Sequence, residues 1–102
     1  MSDANSNSGS TASVKLYGTS ICGYCAAARR LLDSKGVAYE DIDVGRDPEL
    51  RRHMEQLSGG RTVPQIFIND KPVGGYDDIA ALEQAGELDK LLATRQPDSG
   101  GI

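Results

Sequence analysis

The segment Val14-Lys15-Leu16-Tyr17-Gly18-Thr19-Ser20-Ile21-Cys22-Gly23-Tyr24-Cys25 decides how the chain folds. Its first four residues alternate as a strand does, and from about Tyr24 to Lys35 the residues Ala28, Leu31 and Leu32 fall on one helical face. The Cys-x-x-Cys pair therefore stands where a strand ends and a helix begins. At a helix N-terminus, unpaired N–H groups and the positive end of the helix dipole favour a thiolate over a thiol. Cys22 is expected to have a lowered pKa and to attack. Cys25, one turn further in, is expected to be more buried, close enough to pair with Cys22, and to resolve what Cys22 forms.

A Cys-x-x-Cys taken alone is also compatible with half of a zinc site, a buried structural pair or an incidental spacing. Zinc in a structural site takes four protein ligands, and the chain holds two cysteines and one histidine, His53, on a different helix. No fourth ligand is evident, and His53 is assigned no role. A disulfide closing so short a loop removes little unfolded-state entropy, so stability is a poor reason for the pair. Reactivity explains it better.

Outward from this segment, the 102 residues suit one domain. Residues 1–13 (MSDANSNSGSTAS) carry no large apolar side chain beyond Met1 and are expected to be a disordered tail; 94–102 read as a second, polar tail. Gly36 is placed to end the first helix, and Val37 to Val44 reads as a second strand. Asp47-Pro48-Glu49 then supplies an N-cap, a first-turn proline and an acidic first turn for a helix striped by Leu50, Met54 and Leu57. Gln65-Ile66-Phe67-Ile68 and Lys71-Pro72-Val73 form a hairpin about Asn69-Asp70, and one helical region runs from about Asp77 to Ala93. The order β-α-β-α-β-β-α, with a right-handed crossover between the first two strands, predicts an α/β fold. It has a four-stranded mixed sheet flanked by helices, the thioredoxin-like layout.

Eleven Lys and Arg against fifteen Asp and Glu give a net charge of −4, which disfavours nucleic acid as a partner. No apolar run approaches the roughly 20 residues of a membrane span, and no secretory leader is evident, so a soluble, cytoplasmic protein is expected.

Read together, Cys22-Gly23-Tyr24-Cys25, Thr62-Val63-Pro64 and Gly74-Gly75-Tyr76-Asp77-Asp78 resemble the glutaredoxin family, dithiol class, in order and spacing over about residues 14–93. The resemblance implies a glutathione-dependent oxidoreductase acting on disulfide-containing or glutathionylated proteins. It implies that Thr62, Val63 and a cis Pro64 face the cysteines and pair with bound peptide as an added strand does. It further implies that Gly75, Tyr76 and Asp77 hold the γ-glutamyl end of glutathione, that Arg51 holds its glycine carboxylate, and that Tyr24 flanks its sulfur.

The chain departs from the family pattern at two positions. Gly23 stands where proline is usual, and Thr19 where many members carry a lysine. Variants with glycine after the first cysteine resemble those that hold a [2Fe–2S] cluster between two subunits. A cluster-bridged dimer with Cys22 as ligand is therefore a second expectation beside a monomeric enzyme.

Overall fold

In the computed structural model, residues 12–93 are described. Two further readings, the tail before residue 12 and the tail from residue 94 on, lie outside the described residues. Strands β1 (Val14–Gly18), β2 (Glu40–Asp43), β3 (Gln65–Ile68) and β4 (Lys71–Gly74) form one sheet in the order β2-β1-β3-β4. The β1–β2 pair is parallel and the β1–β3 and β3–β4 pairs are antiparallel, so the sheet is mixed. Its helices are α1 (Gly23–Ser34), α2 (Pro48–Ser58), α3 (Tyr76–Gln84) and α4 (Leu88–Ala93). None of them is long and apolar enough to cross a membrane.

The two central strands carry apolar residues on both faces, as strands covered on both sides must. Val14 and Leu16 of β1 with Ile66 and Ile68 of β3 pack against Ala28, Leu32, Ile79, Leu88 and Leu92 from α1, α3 and α4. On the other face Tyr17 and Phe67 meet edge to face, with centroids 5.4 Å apart, and join Val44 and Met54 under α2. Ala12 and Ser13, read from the sequence as tail, are tied in: the Ala12 amide donates to the Leu92 carbonyl and the Ser13 amide to Asn69 Oδ1.

The sequence signals at element ends act as expected in α2, where Asp47 Oδ1 accepts from the Leu50 amide at 3.0 Å and Pro48 opens the helix. Asn69 and Asp70 both have positive φ, which gives a two-residue hairpin turn. Three expectations need correction. The second strand is shorter than Val37 to Val44, because Val37 and Tyr39 are drawn onto the α1-side core instead of pairing in the sheet. Leu57 does not complete the α2 stripe and is about half exposed. The single helical region from Asp77 to Ala93 is two helices. Gly86 takes φ +77, and the amides of Gly86 and Glu87 fold back onto the carbonyls of Glu83 and Leu82, a Schellman stop.

Loss of the α2 cap should be felt globally. Asp47→Ala is expected to lower stability by about 1 kcal/mol in urea unfolding with an unchanged slope; an unchanged midpoint would mean the cap contributes nothing.

Candidate active site

Cys22 is the N-cap of α1, with extended backbone (φ −91, ψ 123), and its Sγ accepts a hydrogen bond from the Cys25 amide at 3.3 Å. The side chain is half-buried, and its sulfur lies 3.8 Å from the Val63 carbonyl on the loop before β3. Cys25 points inward and is fully buried; both thiols are free. The sulfur of Cys25 presses on the end of β1 so closely that a Cβ at Gly18 would come within 2.8 Å of it, which leaves room only for glycine there.

The two sulfurs differ electrostatically. Burial pushes the Cys22 thiol up, but the hydrogen bond with the Cys25 thiol, the amides of Cys25 and Tyr24 and the charge of Arg29 together hold it below the ordinary thiol value. Burial, followed by the hydrogen bond with Cys22, pushes Cys25 up to about 11, against a lowering contribution from the Thr19 backbone. Cys22 is therefore the more readily ionised of the two sulfurs, and Cys25 stays a thiol.

Beside Cys22 runs an open groove of about 430 Å³, walled by Tyr24, Thr62 to Gln65 and Gly74 to Asp78. Tyr24 is largely exposed and stacks on Tyr76 with ring centroids 6.3 Å apart, so the residue between the cysteines and the start of α3 form one aromatic wall. The opposite wall contains the cis Val63–Pro64 bond. Gly74 has φ +112, and a side chain there would collide with the Asp78 carboxylate. That carboxylate is engaged, since Asp78 Oδ2 accepts from the Gly75 amide at 2.9 Å and so caps α3. Asp77 is exposed at the helix start on the groove wall.

Of the residues singled out from the sequence, Tyr24, Thr62, Val63, Pro64, Gly75, Tyr76 and Asp77 are thus brought together beside Cys22. Arg51 is not on the groove wall. Its Nη2 donates to the Arg61 carbonyl at 2.9 Å, and its Nε lies 3.8 Å from Glu55, which fixes it beside the loop entering Thr62. His53 is exposed on α2.

Two further residues support the site. Buried Gln65 donates from Nε2 to the Thr62 carbonyl at 2.9 Å and so shapes the cis-proline loop. Arg29 donates to the Thr19 carbonyl at 3.2 Å, behind the cysteines. A buried glutamine in an apolar strand is a usable signal; nothing in the spacing marked Arg29.

A strand-to-helix Cys-x-x-Cys with one lowered and one raised thiol, facing a cis-proline loop, defines a thiol–disulfide oxidoreductase of thioredoxin-like fold. The glutaredoxin family profile matches residues 14–73, and the chain belongs to that family. It is 48% identical over 80 residues to a glutaredoxin of Pseudomonas aeruginosa, covering 78% of this chain and 95% of the relative. The solution structure of a glutaredoxin from Brucella melitensis superimposes with a TM-score of 0.75 at 49% identity, covering 84% of this chain and 94% of that one. A buckwheat glutaredoxin–glutathione complex does so with a TM-score of 0.75 at 28% identity, covering 89% and 88%.

The thiol asymmetry has two measurable consequences. In the reduced protein at pH 7, iodoacetamide is expected to modify Cys22 more than about tenfold faster than Cys25, read by peptide mass spectrometry; equal rates would contradict the assignment. Because the Cys22 pKa is lowered on folding, its ionisation adds stability above the ordinary thiol pKa. That contribution is lost as pH falls through the lowered value.

Proposed function

We propose that the chain is a dithiol, glutathione-dependent reductase of glutathione mixed disulfides and protein disulfides, with Cys22 as nucleophile and Cys25 as resolving thiol. The observation that carries this reading is the pairing of a half-buried Cys22, its thiol pKa lowered and its sulfur beside the Val63 carbonyl of the groove wall, with a buried Cys25 raised to about 11.

The Cys22 thiolate attacks the glutathione sulfur of a mixed disulfide. The Cys22–glutathione disulfide forms as the original bond breaks, and the substrate sulfur leaves as a thiolate that takes a proton from solvent. A second glutathione thiolate attacks the sulfur of the bound glutathione, releasing glutathione disulfide and the Cys22 thiolate. With a protein disulfide, Cys22 forms the mixed disulfide and Cys25, on losing its proton, displaces the substrate. Two glutathiones then reduce the Cys22–Cys25 bond.

In this reading the groove holds glutathione. Its backbone lies along Val63 and Pro64, its γ-glutamyl carboxylate meets the N–H groups opening α3 at Gly75 and Tyr76, and its ammonium meets Asp77. Asp77 suits the ammonium better than Asp78, whose carboxylate is already committed to the Gly75 amide. Tyr24 flanks the sulfur, and Thr62 lines the groove beside Val63. Arg51 reaches the glycine carboxylate with the donors that its bond to Arg61 leaves over. We place the reaction in the cytoplasm, where a reduced glutathione pool drives it.

A second reading rests on Gly23. Beyond its chain neighbours and the backbone of its own helix, nothing lies within 4 Å of where its Cβ would be, and its backbone carries the N–H that proline lacks. Among the described residues no three His, Cys, Asp or Glu side chains converge to form a metal cage. A [2Fe–2S] cluster would need Cys22 from two chains and two glutathione thiolates, which supply the thiolate set such clusters take. Visible absorption and a doubled mass after anaerobic addition of iron, sulfide and glutathione would support it; a colourless monomer would reject it.

Two substitutions test the enzyme reading. Cys22→Ser should abolish glutathione-dependent reduction, whereas Cys25→Ser should lose reduction of protein disulfides and keep that of a small glutathione mixed disulfide; deglutathionylation surviving in Cys22→Ser would overturn it. Asp77→Asn should raise the glutathione concentration for half-maximal rate about tenfold, the size of one charge-assisted contact, with little change at saturation. An unchanged half-saturation would remove Asp77 from the site.

A further inference from the structure

Arg29 lies on α1 one turn beyond Cys25, and long helical side chains lean back toward the N-terminus, which brings its guanidinium toward the loop that carries Cys22. There it makes two kinds of contact. Nη2 donates to the Thr19 carbonyl at 3.2 Å, while Nε and Nη2 fork onto the Asp41 carboxylate at 2.8 and 3.3 Å. Asp41 is available because the parallel register sets it beside Leu16, whose side chain faces α1. The next residues of the chain are held as well, since the Val44 amide donates to the Gly18 carbonyl at 2.9 Å. The connection from β1 to Cys22 is thus clamped from both α1 and β2.

This cation is the charge that bears on both sulfurs: its field lowers Cys22 and Cys25 alike. The side chain of Arg29 is 21% exposed and that of Asp41 44%, so the pair is only partly screened by water. A positive charge favours a thiolate, which only the reduced pair can carry, over the neutral disulfide. The carboxylate of Asp41 works against that by neutralising the guanidinium. Neither residue contacts the groove described above.

We propose that Arg29 is a positioning residue that sets the redox balance of the Cys22–Cys25 pair, with Asp41 metering how much of its charge the sulfurs feel. This deepens the reading of the two cysteines as a redox pair and rests on it. The balanced exchange is one Cys22–Cys25 disulfide and two glutathiones giving two thiols and one glutathione disulfide.

The test is the equilibrium of the full chain with mixtures of glutathione and its disulfide, with the oxidised fraction read after acid quenching and alkylation. Arg29→Gln removes the charge and should shift the constant toward the protein disulfide about threefold, which at about 30 mV per tenfold is about 14 mV. Asp41→Asn breaks the same fork but unmasks the charge, and should shift the constant in the opposite direction by a similar factor. Arg29→Lys keeps the charge and should stay near the parent value.

The two ends of one fork moving the equilibrium in opposite directions is a result that loss of loop support cannot give. Shifts of the same sign in Arg29→Gln and Asp41→Asn, or no shift in either, would overturn the proposal. A parent protein that fails to exchange with glutathione at all would overturn the redox-pair reading itself, and the two failures are told apart by that control.

Discussion

The hydrogen bond from the Cys25 amide to the Cys22 sulfur, 3.3 Å long, is the contact on which the site depends. It exists because Cys22 is the N-cap of α1, the position where a side chain accepts from the amide three residues on. In most helices that acceptor is an oxygen. Here it is a sulfur, so the interaction that begins the helix also stabilises the thiolate. Folding and reactivity therefore share one contact. The fold must deliver a strand that stops at Gly18, a short loop, and a helix packed tightly enough to bury Cys25 against the strand end.

The sheet accomplishes this with its two central strands. β1 and β3 pair antiparallel, so the end of β1 that leads to Cys22 lies beside the start of β3, which the cis Val63–Pro64 loop feeds. The Cys22 sulfur and the Val63 carbonyl meet as a consequence of that pairing. The β4–α3 connection at Gly74 and Gly75 comes up to the same end, and Tyr24 stacking on Tyr76 closes the wall. Three segments distant in sequence thus form one groove because the sheet brings their ends to the same side.

Much of this was legible in the sequence because the deciding signals are local. Alternation in Val14 to Tyr17, the cap at Asp47-Pro48 and the turn at Asn69-Asp70 each act over a few residues, and each forms the element it announces. The less legible features depend on contacts between elements. Gly86 sits in a run helical on either side, so whether it stops the helix turns on the carbonyls of Leu82 and Glu83 being free to receive the following amides. Val37 and Tyr39 have strand-forming side chains but are claimed by the core beneath α1. Asp77 and Asp78 are adjacent and chemically alike; only the geometry at Gly75 separates the cap from the exposed carboxylate. Arg29 could not be singled out, because its partner Asp41 reaches it through a strand register that no local pattern encodes.

If the groove beside Cys22 receives glutathione in the proposed orientation, the amides lining it must respond to the bound molecule. The most direct test is an amide-resolved NMR comparison of Cys25→Ser in its reduced form and with glutathione disulfide-linked to Cys22. Shift changes centred on Val63, Gly75, Tyr76 and Asp77 are expected, with the amides on the far side of α2 unmoved. Changes confined to Gly23 and Tyr24, with the opening of α3 silent, would show that glutathione is attached but not held, and would contradict the assignment of the groove.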